Sequence, residues 1–372
     1  MYVCGITPYD ATHLGHAATY LTFDLINRYL RATGAEVNYV QNITDIDDPL
    51  LERATRDGVD WKELAHQQID LFRDDMKNLR VIPPAHYIGA VDAIPLVVDA
   101  INDLASLSTI YQVDTDQYFS VHADDRFGSR SHLSEEQMIS IFSERGGDPT
   151  RPGKRDPLDC LVWMSQRPNE PGWQSHLGVG RPGWHIECTA IALKYLDPSD
   201  LDSTLIDIQG GGSDLIFPHH EMCAAQAHVM TGKELAASYV HTGMIGLDGE
   251  KMSKSKGNLV FVSRLVAAGT DPMVIRWALM SDHYRKDRMW SDSLLHEAEL
   301  QYEQLKSALN SDQHAPTDLV IEQIIEALSD DLDTPKVLSI LAQWSSATLS
   351  GEDGGSAADL REALDALLGV CL

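Results

Sequence analysis

The alternation of strand and helix patterns in the first 43 residues constrains the fold more than any other feature. Residues 1–6 form a short apolar run, and AEVNYVQNI at 35–43 is rich in residues that favour strands. Between them, from His13 to about Thr33, apolar residues follow helical spacing, and Gly34 is expected to end the helix. Two strands joined by a helix predict a parallel, Rossmann-like sheet with ligands at the carboxyl ends of its strands.

The rest of the chain divides into regions of different pattern. Residues 85–155 resemble an insertion with one helix and two strand-like segments, and many glycines and prolines predict mainly loop over 144–183. Strand and helix patterns then resume, and the chain becomes helical beyond Asn258. We therefore expect an α/β fold, with a Rossmann-like domain over 1–260 that carries the insertion and a helical C-terminal domain over 261–372.

The charge and the first residues argue against some functions and locations. Acidic residues outnumber basic ones by 56 to 29, for a formal net charge of −27. Because nucleic-acid binding relies on neutralising phosphates with Lys and Arg, no nucleic-acid partner is expected. No stretch reaches the about 18 apolar residues of a membrane span, and MYVCGITPYD does not resemble a secretory signal, so we expect a soluble cytoplasmic protein without a membrane partner. The apolar opening also predicts that further residues precede it in the natural chain.

The five cysteines support the same location. An odd number without a signal peptide fits a reducing compartment better than a disulfide scaffold. Cys160 and Cys371 lie among apolar residues and are expected to be buried fillers. Cys4, Cys188 and Cys223 are left as candidates for metal binding.

Two motifs combine histidines and lysines in a way that suits a polyphosphate. HLGH (13–16) begins the predicted first helix, where the helix dipole and free backbone N–H groups attract anions, and Gly15 leaves room for a nucleotide. KMSKS (251–255) places Lys251 and Lys254 in a glycine-flanked loop that can close on a pyrophosphate leaving group. Alone, an HxGH arises by chance and a lysine-rich loop is commonly just solvated. In this order, the pair resembles the signature of class I aminoacyl-tRNA synthetases.

Two further stretches follow predicted strands. The glycines of GGGSD (210–214) allow a ligand to approach the backbone, and Asp214 can accept hydrogen bonds from a hydroxyl or an ammonium group. A tight turn that needs only glycine is the alternative. NITDIDD (42–48) ends the second strand, where Asn42 and Thr44 would face a ligand, although its aspartates would equally serve as a helix N-cap or a solvated face.

PHHEMC (218–223) concentrates metal-capable side chains in six positions. If a helix starts here, His219 and Cys223 lie one turn apart on one face. Cys188 begins another predicted helix, and Cys4 ends the first strand. Because strand ends and helix starts meet at one edge of a parallel sheet, these four residues are candidates for one tetrahedral zinc site. A polar helix start is the alternative, since the candidates are scattered and lack paired CxxC spacing.

With HLGH, KMSKS, PGWHIEC and GGGSDLIFPHH in place, residues 1–290 resemble cysteinyl-tRNA synthetase, a class I aminoacyl-tRNA synthetase. The resemblance implies the class I catalytic fold with an inserted subdomain. It also implies a zinc ion that binds the thiolate of substrate cysteine through ligands matching Cys4, Cys188 and His219. The fourth ligand of that family is a glutamate where this chain has Cys223, so either Cys223 binds or the substrate completes the shell.

The resemblance further implies how ATP and cysteine are bound. The residues expected to stabilise the phosphates of ATP, together with Mg²⁺, are His13, His16, Lys251 and Lys254. The residues expected to line the cysteinyl-adenylate pocket are Cys4, Gly5, Ile6, Thr7, Thr19, Asn42, Ile43, Thr44, Trp184, Gly212, Ser213, Asp214 and Ile245. His220 and Glu221 are expected in supporting roles, and the base for the second step is either Asp214 or Glu221.

CGITPYDATHLGHAATY and ERGGDP (144–149) differ from the synthetases and resemble related ligases that join cysteine to glucosaminyl-inositol in mycothiol biosynthesis. The helical region after KMSKS reaches residue 372 without an anticodon-binding part, which favours the same group. The expected enzyme is a monomer that uses L-cysteine, ATP and glucosaminyl-inositol, forms an amide and releases AMP and diphosphate. The alternatives are a cysteinyl-tRNA synthetase lacking its anticodon-binding region and a non-catalytic synthetase-like module.

Overall fold

The computed structural model describes residues 1–9, 12–196, 204–247, 249–252 and 257–372, and of Lys251 it describes the backbone alone. The chain forms two compact units, each assembled from three separate stretches. Unit 1 comprises Met1–Asp10, Asn38–Gln67 and Pro84–His241. Unit 2 comprises Ala11–Val37, Gln68–Pro83 and Thr242–Leu372. The boundary expected at residue 260 stays a prediction.

The strands are short and most belong to unit 1. They are β1 (Tyr2–Val3), β2 (Val40–Ile43), β3 (His86–Gly89), β4 (Ile110–Val113), β5 (Asp116–Phe119), β6 (Cys160–Ser165), β7 (Trp173–Ser175), β8 (Gly178–Pro182), β9 (Thr204–Gly212), β10 (Glu234–Thr242), β11 (Ile245–Leu247), β12 (Glu250–Lys251) and β13 (Arg288–Trp290).

The helices occur in both units. They are α1 (Leu14–Ala32), α2 (Asp48–Asp57), α3 (Trp61–Asn78), α4 (Ile94–Ser106), α5 (Glu135–Glu144), α6 (Trp184–Tyr195), α7 (Glu221–Thr231), α8 (Val262–Ala267), α9 (Pro272–Met280), α10 (Asp292–Leu309), α11 (Asp318–Ser329), α12 (Thr334–Leu349) and α13 (Ala357–Ala363). Shorter helical turns cover Val121–Ala123, Ser213–Leu215, Ile216–His220 and Leu364–Leu368.

The central sheet of unit 1 has the strand order β10-β9-β1-β2-β3. β1 pairs in parallel with both β2 and β9, and β2 pairs in parallel with β3. The residues of β1 and β2 are all buried, as expected for strands covered on both faces of a parallel sheet. The prediction of a Rossmann-like parallel sheet is therefore confirmed, and the carboxyl ends of β1, β2 and β9 lie side by side.

The inserted region forms a second sheet, with the strand order β4-β5-β6-β8-β7 and antiparallel pairing throughout. The two strand-like segments predicted near residue 115 are β4 and β5. Loop predominates over 144–183 as predicted, but the stretch also contains β6, β7 and β8, which were not predicted. Their stability comes from pairing with one another and with β5, and glycines such as Gly178, at φ +97°, form the turns that join them.

Unit 2 contains α1 and most of the helices after residue 258. The predicted first helix is confirmed, and Gly34 follows its end at φ +88°. The fully buried Arg276 of α9 bonds the buried carboxylate of Asp24 and donates to the carbonyl oxygens of Leu368 and Leu79, at 2.6 Å each. Helical structure after Asn258 is also confirmed apart from β13, which pairs with β11.

Two smaller observations complete the fold. Cys160 is buried as predicted, but the prediction for Cys371 is wrong because this residue is exposed. The preceding Val370 is 1% exposed, so the apolar run ends one residue earlier than expected. Among the described residues, no helix has both the length and the hydrophobicity required to cross a bilayer.

Candidate active site

Unit 1 brings three potential metal ligands together at the carboxyl edge of its parallel sheet. One ligand atom each of Cys4, Cys188 and His219 lies within 4.8 Å of the other two, and all three residues are buried. Cys4 directly follows β1, where its backbone N–H donates to the carbonyl of Gly210 at 3.0 Å. Cys188 lies in the first half of α6, and His219 lies in the helical turn before α7. The convergence follows from strand ends and helix starts sharing one edge of the sheet.

The groups of this cluster lower the pKa of one thiol and raise the pKa of the imidazole. Burial opposes ionisation of Cys188, but the Cys4 thiol and His219 outweigh it and hold the pKa of Cys188 well below its usual value. Burial also lowers the pKa of His219, yet Cys223 and Cys188 outweigh it and raise that pKa well above the ordinary range. The pKa of Cys4 is raised well above its usual value by burial and by Cys188. A thiolate is the form in which cysteine binds a metal.

Cys4 is held by a ring of further contacts. Nε2 of Gln209 donates to the Cys4 Sγ atom at 3.3 Å, and Nε2 of His220 lies 3.4 Å from the same sulfur. Nδ1 of His220 in turn lies 2.7 Å from Nε2 of His241, at the end of β10. Contacts of this kind orient the ligands of a metal centre. The sequence did not single out Gln209 or His241. For Gln209, the available signal was a glutamine at a buried position of β9.

Cys223 occupies a different position from the other three candidates. It is not part of the set within 4.8 Å that the described residues form. Its Sγ atom donates to the carbonyl of His185 at 3.3 Å and lies 3.8 Å from Nε2 of His219. The predicted helical spacing of His219 and Cys223 is thus present, while a ligand role for Cys223 stays a prediction.

The chemistry of the donor set fits zinc. Two thiol sulfurs and one imidazole are soft and borderline ligands, which zinc prefers over the oxygen-rich sets of Ca²⁺ or Mg²⁺. Three protein ligands with a fourth position for substrate are typical of a zinc centre that takes part in binding or catalysis. A second group, Asp124, Asp125 and His228, is also compact. There, Asp124 already bonds Arg130 and His228, so its charge is satisfied without a metal.

The carboxyl end of β2 and the residue that follows it pack directly against the segment after β1. The backbone N–H of Gly5 donates to Oδ1 of Asn42 at 2.8 Å, and Nδ2 of Asn42 donates to Thr44 Oγ1 at 3.2 Å. The Thr44 N–H donates to the carbonyl of Ile6 at 3.0 Å. Ile43 is buried, and Thr7 is partly exposed. Four of the predicted pocket residues thus form one hydrogen-bonded group beside Cys4: Gly5, Ile6, Asn42 and Thr44.

Trp184 and the glycine-rich segment lie near the cysteine–histidine cluster of unit 1. The Trp184 ring, in the first turn of α6, has its centroid 4.5 Å from that of His219. Gly212 ends β9, and an added Cβ there would lie 2.5 Å from Oδ1 of Asp214, so a side chain at this position would displace the Asp214 carboxylate. Ser213 and Asp214 begin the following helical turn and stay partly exposed.

Glu221 is held by hydrogen bonds that leave it unsuited to act as the base. It is fully buried. Its Oε1 accepts from the Gly128 N–H at 2.9 Å and from Arg130 at 3.2 Å, and its Oε2 accepts from the Ser131 N–H at 2.7 Å. With both oxygens occupied, Glu221 anchors the 128–131 loop. Asp214 is left as the candidate base.

The HLGH motif lies at the N-terminus of α1 in unit 2. Nδ1 of His13 accepts a hydrogen bond from the Gly15 N–H at 3.1 Å, so His13 is the N-cap of the helix. The His16 ring stacks on His13 with 3.8 Å between centroids, and burial and His13 lower the pKa of His16 well below its usual value. Its buried Nδ1 atom has no hydrogen-bond partner within the part of the chain that the structure describes. A neutral imidazole at a helix N-terminus is available to an anionic group.

The remaining predicted residues belong to the same unit. Thr19 Oγ1 donates to the Gly15 carbonyl at 3.1 Å and lies 2.8 Å from Oγ1 of Thr242, and Ile245 is buried in β11. The backbone of Lys251 pairs with Gly246 in the β11–β12 hairpin. Lys254 lies outside the described residues.

Comparison with known proteins identifies the family. The family model described as tRNA synthetases class I (C) catalytic domain matches residues 1–300. The chain belongs to this family. It also belongs with a group of ligases inside it, because curated relatives named L-cysteine:1D-myo-inositol 2-amino-2-deoxy-alpha-D-glucopyranoside ligase match its whole length. The relative from Kribbella flavida is 56% identical over 100% of this chain and 90% of that protein, and the one from Thermomonospora curvata is 54% identical over 100% and 89%.

Solved structures confirm the fold class. Mycobacterium tuberculosis methionyl-tRNA synthetase in complex with methionyl-adenylate superposes with a TM-score of 0.66 and 18% identity, over 98% of this chain and 83% of that chain. A second structure of the same enzyme gives a TM-score of 0.68 over 94% and 83%. At this identity the likeness concerns the fold, which is that of a class I synthetase with a helical C-terminal region.

Proposed function

We propose that the protein uses ATP to join L-cysteine to the 2-amino group of glucosaminyl-inositol through a cysteinyl-AMP intermediate. The observation that carries the cysteine specificity is the buried cluster of Cys4, Cys188 and His219, whose sulfur and nitrogen donors suit a thiolate-binding metal. The acceptor is supported by the names of the relatives that match the whole chain. Formation of this amide with release of AMP and diphosphate belongs to mycothiol biosynthesis.

In the first step, a carboxylate oxygen of cysteine attacks the α-phosphorus of ATP, and diphosphate leaves. His13 and His16, at the N-terminus of α1, are proposed to bind phosphate oxygens. Neutral His16 can donate one hydrogen bond without adding charge. Lys251 and Lys254 of the KMSKS motif are proposed to stabilise the charge that develops on the leaving diphosphate, together with Mg²⁺.

Cys4, Cys188 and His219 are proposed to hold one zinc ion. When bound, zinc supplies a Lewis-acidic position that stabilises the substrate thiolate, which a serine hydroxyl cannot match. Gln209 and His220 orient Cys4 through their contacts with its sulfur. Cys223 is proposed to take the fourth position only when no substrate thiolate fills it, and zinc binding does not require it because its thiol can donate to a backbone carbonyl instead.

In the second step, the amino group of glucosaminyl-inositol attacks the carbonyl carbon of cysteinyl-AMP, and the AMP oxygen leaves as the amide forms. The amine must lose a proton, and Asp214 is the proposed acceptor because it is partly exposed beside the glycine-rich bend. The proposed adenylate pocket comprises Cys4, Gly5, Ile6, Thr7, Thr19, Asn42, Ile43, Thr44, Trp184, Gly212, Ser213, Asp214 and Ile245.

Acceptor-dependent release of AMP tests the proposal. The protein would be mixed with ATP, cysteine and either glucosaminyl-inositol or tRNA, and AMP and the cysteinylated product would be measured. The proposal expects turnover with glucosaminyl-inositol alone. Cysteinylation of tRNA alone would instead support the runner-up, a cysteinyl-tRNA synthetase, which the family model for residues 1–300 favours. Without cysteine-dependent exchange of diphosphate into ATP, only a non-catalytic binding module would be left.

Three properties accompany this proposal. A monomer is proposed, which gel filtration with light scattering would test. No nucleic-acid partner is proposed, because a net charge of −27 opposes an extended phosphate interface. A cytoplasmic location is proposed from the free cysteines, which fit a reducing compartment.

A further inference from the structure

The ERGGDP motif (144–149) carries a contact that the proposed chemistry does not yet explain. The guanidinium of Arg145 donates from Nη1 to the carbonyl oxygens of both Asp214 and Phe217. Asp214 is the proposed base, and Phe217 lies two residues before the proposed ligand His219. We propose that Arg145 is a positioning residue, which fixes the bend between Asp214 and His219. It thereby holds the proposed base Asp214 and the proposed zinc ligand His219 in a fixed position relative to each other.

The two carbonyl groups need a donor from outside their own segment. In a continuous α-helix, the Asp214 carbonyl would accept from the N–H of the residue four positions later. That residue is Pro218, which has no N–H. Phe217 itself departs from helical geometry, at φ −140° and ψ 137°, so its carbonyl also leaves the helical pattern. Phe217 is buried and Asp214 is partly exposed, and one guanidinium supplies a donor to both carbonyl groups in place of the backbone donors of a regular helix.

The other residues of the motif place Arg145 for this task. Arg145 is the C-cap of α5, and Gly146 continues the chain at φ +85°, in the left-handed region that favours glycine. A Cβ at Gly147 would lie 2.5 Å from the Phe142 ring, so glycine is also required there. Asp148 then accepts from Lys154 Nζ at 3.0 Å. The motif thus makes a compact turn whose arginine points away from the insertion and onto the 213–219 segment.

Loss of the Arg145 contacts is expected to affect metal and substrate binding as well as stability. The clamped segment is short, with Asp214 at one end and His219 at the other. If the clamp is lost, the carbonyl groups must find other donors, and the positions of both side chains change. Groups that orient metal ligands typically alter metal affinity about 10–100-fold when they are removed. The inference rests on the proposed function for the role of Asp214, whereas the effect on His219 can be measured by metal binding alone.

The test compares Arg145→Met with the unaltered full-length protein. Methionine keeps much of the apolar stem and removes the donors. We expect zinc affinity, measured by competition with a chromogenic chelator, to fall at least about tenfold. We also expect the KM for cysteine in the exchange of diphosphate into ATP to rise about tenfold, while the KM for ATP changes less than about twofold. Arg145→Lys, which keeps a charged donor with less reach, should give values between the two.

Arg167→Met is the matched control. Arg167 lies just after β6 in unit 1 and donates to Asp116 Oδ2 at 2.6 Å. It makes no hydrogen bond or ion pair with the described 213–219 segment. Unchanged zinc affinity in Arg145→Met, or an equal loss in Arg167→Met, would overturn the proposal. If Arg145→Met does not fold, Arg145→Lys decides: lower zinc affinity in a folded protein supports the clamp, and wild-type affinity overturns it.

The test also separates this inference from the proposed function. If the unaltered protein binds zinc but forms no amide with glucosaminyl-inositol, the function is wrong, and the zinc affinities still report on the clamp. If the protein is an active ligase and Arg145→Met retains its zinc affinity and its KM for cysteine, the inference fails while the function stands.

Discussion

Replacement of Gly5 by alanine tests the close packing between the segments that follow β1 and β2. A Cβ at position 5 would lie 1.6 Å from the carbonyl oxygen of Asn42, in contact with backbone rather than with a movable side chain. Since such contacts do not fall below about 3.0 Å in real proteins, the two segments must separate by about 1.4 Å. No rotation of a side chain relieves this overlap.

The magnitude follows from the hydrogen bonds that the separation would break. The Gly5 N–H donates to Asn42 Oδ1 at 2.8 Å, and the Thr44 N–H donates to the Ile6 carbonyl at 3.0 Å. Lengthening both by more than 1 Å leaves two buried pairs unmade, at about 1–3 kcal/mol for each pair. We therefore expect Gly5→Ala to lower the free energy of unfolding by roughly 2–6 kcal/mol, and the melting temperature by roughly 3–8 °C.

Differential scanning calorimetry of Gly5→Ala and Gly34→Ala measures the effect against a matched control. Gly34 lies at φ +88°, and no atom of the described residues lies within 4 Å of an added Cβ, so alanine there costs only left-handed strain of about 1–2 kcal/mol. Gly5→Ala must therefore be the more damaging of the two substitutions. A Gly5→Ala protein that melts at or above the temperature of Gly34→Ala would refute the reasoning.

Three further outcomes are expected. Elemental analysis should show that Cys188→Ser has lost most of the bound zinc, whereas Cys223→Ala retains it. Equal zinc loss in the two variants would make Cys223 a required ligand. Burial raises the pKa of Asp75 from 3.8 to about 7, so ionisation of this carboxyl lowers the free energy of unfolding increasingly from about pH 4 to 7. Asp75→Asn should therefore raise the melting temperature more at pH 8 than at pH 5. An equal rise at the two pH values would contradict this. Arg276→Met should lower the free energy of unfolding in urea by about 3–5 kcal/mol, because Asp24 loses one of its two arginine partners and the carbonyl oxygens of Leu368 and Leu79 lose their guanidinium donor. A loss below about 1 kcal/mol would count against it.

Much of the central architecture was predictable because its signals are local. Helical spacing predicts α1 to within one residue at each end, and buried β-forming residues predict the strands on either side. The insertion was harder, because β6, β7 and β8 are short and interrupted by glycine and proline. Such strands are stable only through pairing with segments tens of residues away, and local patterns do not report this pairing.

In the candidate site, too, contacts between neighbouring residues were predictable and contacts between distant residues were not. His219 and Cys223 were expected one helical turn apart, and the 3.8 Å between Nε2 of His219 and Sγ of Cys223 agrees with that spacing. The contact of Gln209 with the Cys4 sulfur joins residues 205 positions apart, and no spacing rule predicts it. The Arg145 clamp is similar, since the motif was visible in the sequence but its target was not.

The sequence by itself determined which elements form and which side chains are present, because helical and strand periodicity and motif chemistry are properties of neighbouring residues. It thereby determined the parallel α/β fold and the set of candidate donors. Only the tertiary structure decided which donors meet: Cys4, Cys188 and His219 share one edge of the sheet, while Cys223 turns to a backbone carbonyl. The physical reason is that convergence depends on how distant segments pack, and small differences in packing decide which atoms lie within bonding distance of one another.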